Sequence, residues 1–158
     1  LWWQDEQDEA VAVISKAAAL VPDDPEFRIE LALLHQQRND FDAALSIVDS
    51  ITPRDQKLLQ TRETLALQLA ERLGETDRAR AAAERLFGLR LDADSQLALA
   101  ATMKRLGLQD MAEAFAVAGL KRRHPGASER ELFLRRVAMH LDRETMVRCY
   151  GWDPEVGG

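Results

Sequence analysis

Alanine recurs along this chain at a nearly constant interval. The four alanines that keep the interval are separated by 34, 35 and 33 residues, and they are Ala10, Ala44, Ala79 and Ala112. Each of them closely follows a short turn signal, such as those at Asn39 and Gly74. An interval near 34 leaves room for two helices and a turn, and a small side chain is needed where two helices cross closely. The interval therefore predicts an array of stacked helical hairpins.

Residues 25–55 show one such hairpin most clearly. Both halves of this stretch place apolar side chains at helical spacing. Asn39, between the halves, tolerates the left-handed conformation that ends a helix. Asp40 or Asp42 can then accept hydrogen bonds from the free N–H groups at the start of the next helix. Two amphipathic helices joined by a short polar turn form an antiparallel hairpin.

The pattern resembles the tetratricopeptide repeat family across residues 1–126. The turn glycine of that family stands here as Gly74 and Gly107, and its inter-repeat proline stands as Pro22. The resemblance implies an all-α fold, a right-handed helical-hairpin solenoid with a C-terminal capping hairpin. One departure concerns the bulky aromatic residue of the first helix in each repeat. Its place is taken by Arg28, Glu63 and Gln96.

The repeat register divides the chain into three predicted segments. Residues 1–126 form the repeat array, residues 127–151 form the capping hairpin, and residues 152–158 form a loose tail. The hairpin is expected because solenoids need a cap over their last apolar face. The alternative for the tail is that its first residues, from Trp152, fold back on the hairpin.

The start of the chain lacks most of the first helix that the register requires. Residues 1–3 would end that helix, residues 5–9 would form a turn into a second helix, and the second helix would run to Leu20. A chain cut within a repeat exposes an apolar face, here with Trp2 and Trp3. We therefore predict that the chain is part of a larger protein. We also predict that the chain can form a homodimer through the truncated repeat. An ordinary N-terminal capping helix is the alternative.

Composition limits the class of protein and its surroundings. Charged residues make up 30% of the chain, and no run is long and apolar enough to cross a membrane. The net charge of −6 makes the chain as a whole a poor nucleic-acid binder. The single cysteine, Cys149, excludes an internal disulfide, which suits a cytoplasmic location unless an upstream segment directs the protein elsewhere.

The sequence carries no motif for catalysis or for a cofactor. It contains no phosphate-binding loop, dinucleotide fingerprint or zinc-ligand spacing. Cys149 and His140 fall on different predicted helices without a third group to orient them. His35 has no second metal ligand at helical spacing. We therefore predict a protein that is not an enzyme, with no catalytic residue, metal or cofactor.

The resemblance also implies a concave groove lined by the first helix of each repeat. Its apolar members would hold side chains of a bound peptide, and its basic members would favour an acidic end. This predicts a non-catalytic scaffold for a protein or peptide partner. The predicted lining consists of Glu26, Ile29, Leu33, Gln36, Gln37, Thr64, Gln68, Arg72, Leu97, Ala101, Lys104 and Arg105.

Two other functions stay open at this point. The chain could be a structural spacer or a self-association module, because fold alone does not fix function. The basic run 121–124 and the arginines after it could contact nucleic acid. Glutamates interleave with these arginines and no aromatic stacking platform accompanies them, so charge compensation at a helix end is the preferred interpretation.

Overall fold

The computed structural model describes residues 2–156, with side chains from Asp5 onward. Within these residues the chain forms nine α-helices and no strand, as the all-α prediction required. The helices are α1 (Trp2–Leu20), α2 (Pro25–Gln37), α3 (Phe41–Asp49), α4 (Gln56–Leu73), α5 (Thr76–Phe87), α6 (Ala93–Arg105), α7 (Gln109–Arg123), α8 (Glu129–Ala138) and α9 (Arg143–Tyr150). Helix packing divides the chain into two compact units, residues 1–89 and residues 90–158.

The first unit contains α1 to α5, and each helix packs against the next one along the chain. This is the hairpin stacking of a helical repeat solenoid. Ala44 and Ala79 are fully buried, as expected for a small residue between packed helices, whereas Ala10 is half-buried. The apolar core of the unit consists of Ala32, Ala44, Leu45, Val48, Leu65 and Leu69.

Local turn chemistry sets the ends of these helices. Asn39 has a φ of 61° and Gly74 has a φ of 73°, so both adopt the left-handed conformation that was predicted for them. Asp40 accepts a hydrogen bond from the backbone N–H of Ala43 and thereby caps α3. Asp55 does the same for α4 through the N–H of Leu58 at 2.8 Å.

The predicted turn in residues 5–9 is wrong, because α1 runs without a break from Trp2 to Leu20. This segment contains only aspartate, glutamate and glutamine, none of which ends a helix as glycine or proline does. Asp8 pairs with Arg38 at 2.6 Å and so ties the first half of α1 to the end of α2. The side chains of Trp2 and Trp3 lie outside the described residues, and a homodimer through them stays a prediction.

Polar contacts replace the aromatic residue that the repeat register expects. Arg28 donates to the backbone carbonyls of Ser50 and Pro22, at 2.7 and 2.8 Å, and thereby joins two connections. Glu63 is fully buried and pairs with Arg62 and with Arg85, which link its carboxylate to α4 and α5. Gln96 is also buried. Arg28 and Glu63 therefore form polar contacts where an aromatic ring would act by packing.

The second unit contains α6 to α9, which pack in the order α6–α7, α7–α8 and α8–α9. Ser128 caps α8 by accepting the N–H of Glu131 at 3.2 Å, and Asp142 caps α9 by accepting the N–H of Thr145 at 2.9 Å. Two helices, α8 and α9, therefore lie where the capping hairpin was predicted, and their capping role stays a prediction. The predicted boundary between the repeat array and the capping hairpin, after residue 126, falls inside this unit.

The end of the chain differs from the predicted loose tail. Trp152 is only 7% exposed and packs with Leu134 and Met146, so the alternative in which it folds back on the hairpin is confirmed. Arg143 binds both carboxylate oxygens of Asp153, at 2.9 and 2.7 Å. Burial of a large indole, together with this bidentate contact, explains why the tail is held at residues 152–153.

Candidate functional site

A cleft of about 520 Å³ opens between α2 and α4 in the first unit. We call it the α2–α4 cleft. Four of the predicted partner-binding residues lie together in it, namely Ile29, Leu33, Thr64 and Gln68. Its complete lining is Ile29, Leu33, Lys57, Gln60, Thr61, Thr64, Leu65 and Gln68. The prediction that the first helices of successive repeats share one face therefore holds for this pair of helices.

The floor of the α2–α4 cleft is continuous with the core of the first unit. Leu65 is 5% exposed and belongs to that core, and Leu33 packs against it. Ile29 is half-buried one turn before Leu33. An apolar floor supported by packed neighbours keeps its shape without a ligand, which reduces the entropy lost on binding.

The rim of this cleft is polar and carries little charge. Thr61 donates its hydroxyl to the backbone carbonyl of Lys57 at 3.1 Å, which leaves the hydroxyl oxygen able to accept. Gln68 is exposed and forms no side-chain hydrogen bond within the described part of the chain. Lys57 is the one charged residue among the described residues of the lining. The cleft can therefore take an apolar group and bond polar atoms beside it.

The other residues predicted on these two helices lie outside this cleft. Glu26 and Gln37 are exposed near opposite ends of α2, and Gln36 is half-buried there. Arg72 is exposed in the last turn of α4. They share helices with the cleft residues, and their binding role stays a prediction.

A second cleft, of about 830 Å³, lies within the second unit between α6, α7 and α8. We call it the α6–α8 cleft. It contains Ala101, Lys104 and Arg105, which were predicted to bind a partner. Leu97, predicted to do the same, instead packs against Gly119 of α7. The complete lining is Ala100, Ala101, Lys104, Arg105, Gln109, Ala112, Glu113, Ala116, Arg136, Val137, Met139 and His140.

The far wall of the α6–α8 cleft was not predicted. It consists of Arg136 and Val137 on α8, with Met139 and His140 directly after that helix. The sequence signal that could have found it is the Ser128 cap, which opens another helix shortly after α7, where the first helix of a further repeat would stand. Lys104 Nζ lies 3.3 Å from His140 Nδ1, so the two walls meet at that point.

Other kinds of site find little support in the described part of the chain. No group of three or more histidine, cysteine, aspartate or glutamate side chains is arranged to hold a metal ion there. No helix there is both long and apolar enough to cross a membrane. Cys149 is exposed on α9.

The family comparison covers most of the first unit. Residues 4–68 match the profile of the tetratricopeptide repeat. This segment is therefore similar to a tetratricopeptide repeat. No sequence among the curated proteins matches this chain.

The tetratricopeptide match includes every residue that lines the α2–α4 cleft. Tetratricopeptide repeats mediate protein–protein interactions and typically act without catalysis, through the concave surface that stacked hairpins create. The match ends within α4, so the α6–α8 cleft lies outside it.

Proposed function

We propose that this chain is a protein-interaction scaffold whose α2–α4 cleft binds a peptide segment of a partner protein. The observation that carries the proposal is an apolar floor, formed by Ile29, Leu33 and Leu65, inside a cleft of about 520 Å³ within the tetratricopeptide segment. Half-buried apolar side chains on a supported floor are suited to hold one or two apolar side chains of a ligand.

The rim supports an extended peptide as the bound form. Gln60 and Gln68 carry amide groups that can both donate to and accept from a peptide backbone. Thr61 and Thr64 add hydroxyl groups along the same helix. These uncharged groups do not select for a charged ligand. We therefore expect recognition to depend mainly on an apolar anchor and on backbone hydrogen bonds.

Peptide selection tests this proposal without a known partner. A phage-displayed library of linear peptides is selected on the complete chain, and the dissociation constants of selected peptides are measured by fluorescence anisotropy. Leu33→Glu places a charge on the apolar floor, and we expect at least about tenfold weaker binding, since burying an unpaired charge is costly. Thr61→Glu is a second variant at an exposed position and should also weaken binding.

The matched control is Ser46→Glu, which adds the same charge at an exposed position on α3, outside the cleft. We expect it to bind the selected peptides as the unchanged chain does. Circular dichroism melting curves establish that each variant is folded. If Leu33→Glu and Thr61→Glu bind as well as Ser46→Glu, the proposal is wrong for this cleft.

A structural spacer or self-association module is the competing function. In that case the selection yields no peptide whose binding depends on the cleft. Light scattering after size exclusion then separates the two structural roles, because only self-association gives a mass that rises with concentration.

A further inference from the structure

The α6–α8 cleft has more basic than acidic side chains in its lining. Glu113 is the one carboxylate among the described residues that line it, whereas Lys104, Arg136, Arg105 and His140 are all basic. Even without Arg105 and His140, the two remaining basic groups outnumber Glu113. The opposite holds for the whole chain, which has a net charge of −6. The local excess of positive charge therefore belongs to this cleft and favours an anionic ligand group.

Lys104 faces a weak partner in this cleft. Its Nζ lies 3.3 Å from His140 Nδ1, and no carboxylate among the described residues forms an ion pair with it. An ammonium group only donates, so Nδ1 must accept in this contact. A ligand carboxylate beside Lys104 would give a charge-assisted hydrogen bond, which is stronger than the bond to a neutral imidazole.

Arg136 has a carboxylate partner that a ligand could replace. It pairs with Glu113, whose side chain is 59% exposed, while that of Arg136 is 30% exposed. Ion pairs at this exposure are weak, because water solvates both charges almost as well as they solvate each other. Glu113 therefore occupies, within the chain itself, the place that a ligand carboxylate would take on Arg136.

The floor of the cleft has room for a large apolar group. Ala100, Ala112 and Ala116 are buried there, and Val137 faces them from α8. The volume of about 830 Å³ lies within the range of ~300–1,000 Å³ that is usual for ligand pockets. An apolar floor beside basic groups is complementary to a ligand with an apolar side chain next to a carboxylate.

We infer that the α6–α8 cleft binds an acidic peptide segment of a partner protein, with one large apolar side chain on the alanine floor and a carboxylate at Lys104 and Arg136. Glu113 acts as an internal competitor for that carboxylate. This inference rests on the proposed function in so far as the ligand is a protein segment. It concerns a different cleft, with a different ligand chemistry, from the one between α2 and α4.

A defined peptide array tests the ligand chemistry. Fluorescein-labelled, amide-capped heptapeptides carry phenylalanine, leucine or alanine at the centre and glutamate, glutamine or lysine on both sides, and binding to the complete chain is measured by anisotropy. We expect the peptides with a large apolar centre and glutamate flanks to bind at least about tenfold more tightly than their glutamine counterparts, as is usual for charged hydrogen bonds. Equal binding of glutamate, glutamine and lysine peptides, or binding of none, overturns the inference. So does equally tight binding of free 3-phenylpropionate, which would make a small acid the ligand.

Matched substitutions locate the binding. Lys104→Met should weaken the glutamate peptides at least about fivefold, and Lys121→Met, the same change at an exposed position outside the cleft, should leave them unchanged. Glu113→Gln should tighten binding about two- to fivefold by freeing Arg136, whereas Asp110→Asn, one turn earlier on α7, should not. Equal effects of the two lysine changes, or of the two acidic changes, would show only a general charge effect and overturn the inference.

The same peptides separate this inference from the proposed function. Leu33→Glu in the α2–α4 cleft should leave their binding unchanged, and Ala101→Phe, which fills the α6–α8 cleft from an exposed position, should abolish it. If Leu33→Glu abolishes it and Ala101→Phe does not, the acidic peptides bind at the other cleft. The proposed function then stands and the present inference falls.

Discussion

Leu97 on α6 and Gly119 on α7 are in such close contact that the chain has no room for a side chain at position 119. A Cβ atom there would lie 2.9 Å from Leu97 Cγ and 3.1 Å from the backbone oxygen of Ala93. The first of these atoms can move with its side chain, whereas the second belongs to the backbone of α6. The contact sets the distance between the two helices and explains why Leu97 faces α7.

Replacement of this glycine should destabilise the second unit. Alanine favours a helix more than glycine does, by ~1 kcal/mol, but the clash at position 119 opposes that gain. We expect Gly119→Ala to lower the free energy of unfolding by about 1–3 kcal/mol, as overpacked cores usually do. Urea denaturation gives the value. Gly88→Ala is the control, because a Cβ there would meet one atom at an ordinary 3.5 Å. Equal stability of the two variants would contradict the prediction.

The buried carboxylate of Glu63 should make Arg62 unusually important. Arg62 Nε donates to it at 2.9 Å, and the side chain of Glu63 is only 1% exposed. Loss of Arg62 leaves the carboxylate with Arg85, whose Nε lies 2.8 Å away and whose side chain is half exposed. We expect Arg62→Met to lower the free energy of unfolding by about 3 kcal/mol, near the lower end of values for broken buried pairs.

The control for that experiment is Arg78→Met. Arg78 pairs with Asp49 and with Glu75, and all three side chains are at least 40% exposed. Exposed pairs contribute ~0–1 kcal/mol, so this variant should lose no more than that. If chemical denaturation shows that the two arginine variants lose the same free energy of unfolding, burial of Glu63 does not make Arg62 more important than Arg78.

The tail should contribute to stability through the packing of Trp152. Trp152 packs on Leu134 and Met146, and the guanidinium of Arg135 lies 5.7 Å from the centre of its ring. We expect Trp152→Ala to cost about 3–5 kcal/mol, as is usual for large buried aromatic residues. Val156→Ala, at a side chain that is 77% exposed, should stay within about 0.5 kcal/mol of the unchanged chain. If the melting curves of the two variants coincide, the packing of Trp152 that we describe is wrong.

Acid should destabilise the second unit through three aspartates. The pKa of Asp153 lies below its ordinary value of 3.8 because Arg143 donates hydrogen bonds to it. Hydrogen bonds from Ser95 and from Thr145 lower the pKa of Asp92 and of Asp142 in the same way. A pKa that is lower in the folded state gives stability that is present above pH 3.8 and is lost as the pH falls through the folded value.

The melting temperature should therefore fall as the pH is lowered from about 5 to below 3.8. Asp153→Asn should melt lower than the unchanged chain at pH 5, and the difference should shrink as the pH falls, because protonation removes the same contact. Asp110→Asn, at an exposed position on α7, is the control. A difference that persists undiminished at low pH would show that Asp153 stabilises the fold by something other than its charge.

Local signals predicted the helices of this chain well. Asn39 and Gly74 end helices in the left-handed conformation that was expected, and Ala44 and Ala79 mark the crossings. These features depend on a few neighbouring residues, so the sequence contains them in full. The turn in residues 5–9 was wrong because the repeat register required it, whereas Asp5 and Glu6 are equally compatible with a continuous helix.

The candidate sites were predicted only in part, because they depend on contacts between distant residues. Ile29 and Thr64 belong to helices of the same repeat register, which places them on one face, and they do share a cleft. Lys104 and His140 are 36 residues apart, and α8 was assigned to a capping hairpin, so its end was not expected beside α6. Leu97 was assigned to the groove because register alone does not show that the partner helix has a glycine at the facing position.

The alanine floor of the α6–α8 cleft has a spectroscopic consequence. An alanine methyl group is attached directly to the backbone and has no rotamers, so its NMR signal changes when its surroundings or its helix change. In a sample labelled with ¹³C only at alanine methyl groups, Ala101, Ala112 and Ala116 would report occupation of this cleft. Ala44 and Ala79, fully buried in the first unit, would give reference signals in the same spectrum. Labelled alanines of the chain itself would thus report binding at this cleft, and no dye has to be attached.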